Sequence, residues 1–277
     1  MKKLILPVLA VMAFGTASAQ FNLGVSVGYG LGSPGQFLGT DEQHDAGGLT
    51  NSKAIYGTLG NGLQANLTPG YMFGEHFGIE LGLNGFFGSE TTTHKENHPS
   101  GTLTETMKSS QFRIAPAFYI KSGGEKMSVY ARTGLLIPLL GSVKYESNDN
   151  SSPGVSVVQA STTSGKVALG YTGAFGLNVH FGKKFGFFAE VGANSLRVKS
   201  KETEVTKYSI NGNDFLGSVP AYNKDIKYVD ELNSSSNNFS TNPTGSTLTS
   251  PSEELRQIAN FSNFFVQVGI KLTFGED

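Results

Sequence analysis

The chain contains no cysteine and no tryptophan, and it has few charged residues. Without cysteine, a disulfide-stapled scaffold, a thiolate zinc site and a cysteine nucleophile are excluded. Charged residues make up 16% of the 277 positions, against roughly 25% in soluble globular domains. The formal net charge is -1, so we expect no basic face and no nucleic-acid partner. Beyond residue 20, no apolar run approaches the roughly 20 residues of a transmembrane helix.

The first residues have the three parts of a secretory signal peptide. Met1-Lys2-Lys3 is a positive start, residues 4–14 form a short apolar run, and Ala17-Ser18-Ala19 is a cleavage site of small residues. We therefore predict a cleaved signal peptide at 1–19 and one exported domain at 20–277. Cleavage removes two lysines, so Lys+Arg falls from 21 to 19 against 22 acidic residues, and the net charge becomes -3.

Eight later segments alternate apolar residues with small or polar ones. Successive side chains of a strand point to opposite faces, so each segment predicts a strand with one apolar face. About ten residues is the length that a tilted strand needs to cross a bilayer. The segments are 21–29, 63–73, 77–87, 112–120, 129–139, 169–181, 185–193 and 264–274.

The connections between these segments alternate strictly between short and long. The short ones are 74–76, 122–126 and 182–184, and the long, polar ones are roughly 31–58, 88–110, 140–166 and 199–261. Outer-membrane barrels have short periplasmic turns and long extracellular loops. Aromatic residues also cluster at both ends of the apolar faces, as in the girdles of such barrels.

These patterns predict an all-β fold: an eight-stranded antiparallel up-and-down transmembrane β-barrel with long extracellular loops. Pro69 and Pro116 fall within the predicted strands, where a proline removes a ladder donor. We therefore expect a β-bulge or a shifted strand boundary at each of them. Aromatic residues in the fourth long loop indicate that part of it packs, as strands extending beyond the membrane.

The signal peptide and the eight predicted strands, the last one in particular, give the chain a family resemblance. It resembles the small eight-stranded outer-membrane barrels of Gram-negative bacteria, the OmpA-transmembrane, OmpX and opacity-protein class. Segment 264–274 is similar to their assembly signal, and segment 188–196 resembles a strand of Bacteroidota-type barrels. The resemblance implies location in the cell outer membrane. Its implied partners are outer-membrane lipid, lipopolysaccharide and, during biogenesis, the barrel-assembly machinery.

Five charged residues are predicted to face the barrel interior and to form a polar network. Glu190 and Lys271 are expected to pair directly, because they lie on neighbouring strands at similar heights. An eight-stranded bore is narrow, and Tyr119, Tyr130, Phe188 and Phe265 also face inward, so we predict a plugged lumen. The alternative is a narrow gated channel for ions or small solutes. The predicted network consists of Glu80, Arg113, Arg132, Glu190 and Lys271.

No catalytic, cofactor-binding or metal-binding site is predicted. His94 and His98 are interpreted as exposed loop histidines, because no second acidic or thiol cluster lies near them in the sequence. Asn211-Gly212-Asn213-Asp214 is interpreted as a β-turn. His180 lies at the periplasmic end, which is the wrong end for a surface hydrolase, while His44 leaves that option open. We predict a non-enzymatic protein without cofactors that acts through its loops in surface interaction, adhesion or envelope integrity, with an extracellular ligand.

Overall fold

The computed structural model describes residues 19–33, 35–124, 126–182 and 184–274. The predicted signal peptide lies outside the described residues apart from Ala19, its last position. Within the described ranges, no helix is long and apolar enough to cross a membrane.

Strands dominate the described residues, and seventeen of them are numbered here in chain order. They are β1 (Ala19–Gly32), β2 (Gln36–Asp45), β3 (Gly48–Gly57), β4 (Gly62–Phe73), β5 (Phe77–Gly88), β6 (Thr91–His98), β7 (Gly101–Lys121), β8 (Met127–Asp149), β9 (Val157–Gly165), β10 (Gly170–Phe181), β11 (Phe185–Ser195), β12 (Arg197–Ile210), β13 (Asn213–Asp214), β14 (Asp225–Val229), β15 (Ser252–Leu255), β16 (Ile258–Asn260) and β17 (Asn263–Phe274). A 3-10 turn, Leu216–Ser218, and one turn of α-helix, Ala221–Lys224, precede β14.

Eight of these strands close into the predicted antiparallel barrel. The order around the barrel is β1, β4, β5, β7, β8, β10, β11 and β17, and every neighbouring pair is antiparallel. The first and last strands close it over twelve residue pairs, from Phe21 opposite Phe274 to Gly32 opposite Asn263. Closure leaves no sheet edge, which hydrocarbon requires because it offers backbone groups no hydrogen-bonding partner.

The two faces of the barrel wall have the polarity of a membrane protein. Apolar side chains point outward and are exposed, for example Val27 at 62% and Phe118 at 75%. Polar side chains on the alternate positions, such as Asn22 and Ser26, are buried inside. The burial therefore confirms the predicted alternation, and outward aromatic residues lie near both ends of the strands.

The barrel wall continues far beyond the membrane as a β-sheet. We expected residues 88–110 and 140–166 to be loops, and this is wrong, because β7 has 21 residues and β8 has 23. The extension runs in the order β3, β2, β6, β7, β8, β9, β12, β14, β15, with parallel pairing only at β2–β6 and β14–β15 among the described strands. These polar segments carry no apolar face, so the sequence pattern does not reveal them, although backbone hydrogen bonds extend the ladders of the barrel strands.

The two prolines interrupt their ladders with neither a bulge nor a strand boundary at the proline, so the expectation of one or the other is wrong. Across Pro69, the β4–β5 pairing keeps one register on both sides of the gap. Across Pro116, the β7–β8 pairing also keeps its register, and the shift between these strands lies at Phe112 and Arg113. A proline lacks the ladder donor, and a one-residue shift would turn every later side chain to the wrong face. The gaps border a lipid-facing recess lined by both prolines and Leu81.

The fourth extracellular segment packs in part, as predicted. Its β12–β13 hairpin turns at Asn211 and Gly212, which both have positive φ angles of 50° and 80°. This confirms the predicted turn, because Asn and Gly adopt the left-handed conformation most readily. Further along, Tyr228 is buried, and the rings of Tyr222 and Phe239 lie 4.8 Å apart.

Candidate functional site

Charged, amide and aromatic side chains fill the interior of the barrel. Glu80 is 7% exposed, Glu190 is 3% exposed and Arg113 is fully buried. The side chains of Arg132 and Lys271 are 9% and 13% exposed. The structure therefore places all five predicted network residues inside, and it joins four of them in two ion pairs.

The first ion pair connects Arg132 on β8 with Glu190 on β11 across the bore. The guanidinium Nε lies 3.1 Å from Glu190 Oε2, and Nη2 donates to Oε1. Tyr130 donates its hydroxyl to the same carboxylate at 2.7 Å, and Gln267 donates its amide at 2.6 Å. A buried charge is costly unless it is paired and hydrogen-bonded, and this carboxylate has three partners on two strands, β8 and β17.

The second ion pair joins Lys271 on β17 to Glu80 on β5, at 3.0 Å between Nζ and Oε1. The ammonium also lies 4.1 Å from the ring centre of Tyr119, a distance at which a cation is attracted to an aromatic face. The predicted direct pairing of Lys271 with Glu190 is wrong.

The register of the last hairpin explains this difference. Lys271 lies opposite Gly186, whereas Glu190 lies opposite Gln267. The two charges are thus four residues apart along the strands, or about 13 Å. Phe185 faces Leu272 rather than Phe274, so counting both strands from their terminal aromatic residues gives the wrong relative height.

Arg113 lies nearer the extracellular end and forms no ion pair among the described residues. Its guanidinium carbon lies 4.1 Å from the ring centre of Phe86, and its Nε donates to Gln111 Oε1 at 2.6 Å. The described chain provides no acceptor for its two Nη atoms. The sequence reasoning did not include Phe86, although its position inside β5 follows from the alternation.

A chain of amide side chains extends the network, and the sequence reasoning missed it. Asn84 donates to Asn66, Asn66 donates to Gln267 at 2.8 Å, and Gln267 donates to Glu190. These residues occupy inward positions of β5, β4, β17 and β11, so the period-2 pattern was the signal that could have found them. Hydrogen bonds thus cross the bore from strand to strand.

The network leaves little space along the axis of the barrel. The cavity among Glu80, Arg132, Glu190 and Lys271 measures about 10 Å³, and the next one toward the outside about 20 Å³. Each volume holds about one water molecule. Arg132 and Gln267 line both cavities.

A larger, apolar cavity of about 200 Å³ lies at the outer mouth. Its lining includes Leu59, Met107, Val198 and Phe261, of which Leu59, Val198 and Phe261 belong to the buried apolar cluster that caps the bore. The sequence pattern placed Met107 and Phe261 in long connections and left Leu59 and Val198 outside both the predicted strands and the predicted connections. They converge only because β7, β12 and the segments flanking β4 and β17 meet above the membrane.

The loop histidines are not isolated, contrary to the prediction. His94 and His98 on β6 each contact Glu96, at 2.8 Å from Nε2 to the carboxylate oxygens. These hydrogen bonds lower the pKa of Glu96. Burial opposes protonation of His94, but the hydrogen bond with Glu96 and the neighbouring carboxylates raise its pKa overall. The ring of His44, from the first extracellular segment, stacks on His98.

His180 and the Asn211–Asp214 turn make contacts that are structural. His180 Nε2 lies 3.2 Å from Ser128 Oγ at the short-turn end of the barrel, the end that the sequence indicated. In the Asn211–Asp214 turn, the Asn211 carboxamide oxygen accepts a hydrogen bond from the Ser156 backbone, so this turn is fastened to the neighbouring hairpin.

A comparison with protein-family models decides the classification. Residues 4–221 match the model of the outer membrane protein beta-barrel domain. The chain belongs to this family. As an outer-membrane β-barrel, it lies in the cell outer membrane with its three short turns in the periplasm and its β-sheet extension outside the cell.

Several solved structures are similar to this chain, among them the outer membrane protein OprG. OprG from Pseudomonas aeruginosa is 12% identical, with 94% of this chain and 97% of that chain covered and a TM-score of 0.48. CarO2 from Acinetobacter baumannii is 12% identical, covering 92% and 99%, with a TM-score of 0.39. CarO from Acinetobacter baumannii is 13% identical, covering 91% and 97%, with a TM-score of 0.34. At these low identities and scores, the likeness carries no functional argument. A comparison with curated proteins finds no match.

Proposed function

We propose that this family member is a non-catalytic outer-membrane barrel with a closed lumen, and that it acts at the cell surface through its extracellular extension. The role that we propose is surface interaction, including adhesion, or support of envelope integrity. The observation that carries the proposal is the interior: two buried ion pairs and the stacked rings of Tyr119 and Tyr130 leave axial cavities of about 10 and 20 Å³. A bore of that size has no room for a hydrated solute.

The extension supports the second part of the proposal. Loops carried by a rigid scaffold are the usual place for binding, and here the scaffold is a sheet continuous with the barrel. Exposed apolar side chains lie in its fourth segment, among them Phe215 at 42% and Leu248 at 51%. Such side chains favour an extracellular protein ligand, because aromatic residues are enriched in the cores of interfaces.

The outer surface favours lipopolysaccharide as a further partner. Lys108 and Lys144 lie directly opposite each other on β7 and β8, both exposed. Four residues closer to the membrane, the lipid-facing pair is Phe112 and Leu140. Like charges that face each other repel, so an anionic headgroup phosphate between the two lysines would stabilise the pair. The alternating, outward-facing side chains of β17 support recognition by the barrel-assembly machinery.

The closed lumen is tested by electrical recording on the mature chain. We would refold residues 20–277 in lipid, confirm folding by the heat-dependent gel shift, and record single-channel currents in planar bilayers. We expect no discrete openings. Steady openings in the folded protein would overturn the closed lumen.

Surface display is tested on intact cells by protease treatment. The irregular stretch between β14 and β15, residues 230–251, lacks strand structure and is expected to be cut while the barrel stays intact. If all four long segments of the surface-exposed half resist the protease in cells and are cut only after the outer membrane is opened, the proposed orientation and role are wrong.

A narrow gated channel is the second candidate, and one observation favours it. Arg132 and Gln267 line both axial cavities, so a rotation of the Arg132 side chain would connect them. Under this candidate, Glu190→Gln frees Arg132 and raises the open probability or conductance. Lys271→Met would change ion selectivity, because it removes a positive charge from the same passage. If neither variant shows channel openings, this candidate is excluded.

A further inference from the structure

The extracellular extension brings two sequence segments together at the parallel pair β2–β6. Glu42 lies directly opposite Glu96, with flanking pairs on both sides in the same register. Alternate residues share a face, so Thr40, Glu42 and His44 face the same way as His94, Glu96 and His98. Three of the five histidines in the chain therefore lie on one small surface, although they come from segments about 50 residues apart.

This surface belongs to the inner side of the extension, above the bore. His94 lies opposite Glu105 on β7. By alternation along β7, Glu105 faces the same way as Gln111 and Arg113, which are buried in the bore. The side chains of His44, Glu42, Glu96 and His98 are between 19% and 26% exposed. They are therefore held by neighbours and remain accessible from outside.

The donor atoms converge to the spacing of a metal site. One ligand atom each from His44, Glu96 and His98 can be chosen so that all three lie within 4.8 Å of one another. The rings of His44 and His98 are stacked with their centres 4.3 Å apart. Around a tetrahedral zinc ion with bonds of about 2.0–2.2 Å, ligand atoms lie roughly 3.4 Å apart. Small rotations of these partly exposed side chains would close the difference.

The charges on this face also favour a cation. Two carboxylates, Glu42 and Glu96, are cross-strand neighbours, an arrangement that repels. The residues opposite them on the outer strands are Ser52 and Leu103, so neither carboxylate has a basic residue directly opposite. A divalent ion between the strands would neutralise both.

We propose that His44, Glu96 and His98 bind a divalent transition-metal ion of the zinc class on the inner side of the extension, with Glu42 next to the fourth coordination position of the ion. Two imidazoles and a carboxylate are donors that suit such ions. Glu42 Oε2 lies 3.4 Å from His44 Nε2, within reach of the same ion. With this site, the extension would bind a metal ion, and the proposal does not depend on whether the lumen conducts.

His94 is a positioning residue in this site. Its Nε2 contacts Glu96 Oε1, the oxygen that His98 does not use, and its Nδ1 lies 3.0 Å from Thr40 Oγ1. The relay from Thr40 through His94 fixes the orientation of the Glu96 carboxylate. Residues that orient a metal ligand in this way typically contribute about 10–100-fold to metal affinity.

The test uses the untagged mature chain, refolded in detergent and freed of metal. Co²⁺ is titrated and followed by the visible bands of the tetrahedral ion, and Zn²⁺ is then added as a competitor. We expect saturation at one Co²⁺ per chain and displacement by Zn²⁺. His98→Gln and Glu96→Gln should abolish the bands, and His94→Gln should weaken binding by about 10–100-fold while preserving the bands at saturation.

The matched control is His76→Gln, in the short turn between β4 and β5 at the opposite end of the barrel. The heat-dependent gel shift confirms that each variant folds, which we expect because the ladders use backbone groups. The proposal is overturned if Co²⁺ does not saturate the folded wild type below about 1 mM. Equal binding by the wild type and His98→Gln would also overturn it, as would loss of binding in His76→Gln.

Discussion

The buried carboxylate of Glu190 gives the sharpest test of how the barrel interior is stabilised. In the variant Glu190→Gln, the shape of the side chain is kept and its charge is lost. Arg132 would then keep a positive charge inside the bore with a neutral partner, and its side chain is only 9% exposed. Removing one member of a buried ion pair costs about 3–5 kcal/mol, because the other charge is left uncompensated. We expect a loss of unfolding free energy of this size.

The measurement is equilibrium urea unfolding in lipid vesicles, followed by far-ultraviolet circular dichroism. A double-mutant cycle with Arg132→Met separates the pair energy from other effects. We expect the double variant to recover at least about 1 kcal/mol relative to the sum of the single variants, because it buries no unpaired charge.

Glu202→Gln is the matched control. Glu202 pairs with Lys201 at 3.0 Å, but both side chains are more than half exposed, and such pairs contribute about 0–1 kcal/mol. The reasoning is refuted if Glu190→Gln costs no more than this control and the cycle shows no coupling. That result would mean that water in the bore solvates the charge of Arg132 when Glu190 is replaced.

Three further predictions concern packing, hydrogen bonding and pH. Gly134→Ala places a β-carbon against the backbone of β7 and should lower the free energy of urea unfolding by about 1–3 kcal/mol. Gly217→Ala is the control, because its β-carbon meets nothing within 4 Å, and it should leave the free energy of unfolding unchanged. Equal effects of the two variants would contradict this. Tyr130→Phe removes a hydrogen bond to a buried carboxylate and should lower the free energy of unfolding by about 1.5–3 kcal/mol. A change near zero would contradict this. The hydrogen bond from Arg256 lowers the pKa of Asp230, so its stabilisation of the fourth segment is present above the unfolded pKa of about 3.9 and lost as the pH falls through the lower folded value. The protection factor of amide hydrogens near Asp230, which corrects the exchange rate for its intrinsic pH dependence, should therefore fall at acid pH in the wild type and stay low at every pH in Asp230→Asn. Identical profiles would contradict this.

The sequence determined the barrel itself. The side chains of a strand in a barrel wall alternate between lipid and lumen. Phe118 and Val27 face the lipid, and Asn22 and Ser26 face the lumen. This period-2 alternation is visible in the sequence of each strand by itself. Strand number, closure and the side of the long segments follow from that alternation and from the alternating connection lengths, because hydrocarbon allows no open edge.

The tertiary structure alone decided which side chains meet. Lys271 does not reach Glu190 because the β11–β17 register, which no local pattern specifies, places Lys271 opposite Gly186. Its ammonium pairs with Glu80 on β5 instead. The extension of β7 and β8 was hidden for a related reason: in water a polar strand needs no apolar face, so it leaves no periodic signal. His44 reaches His98 only through the parallel pairing of β2 with β6, a contact between distant segments that depends on backbone hydrogen bonds common to every residue.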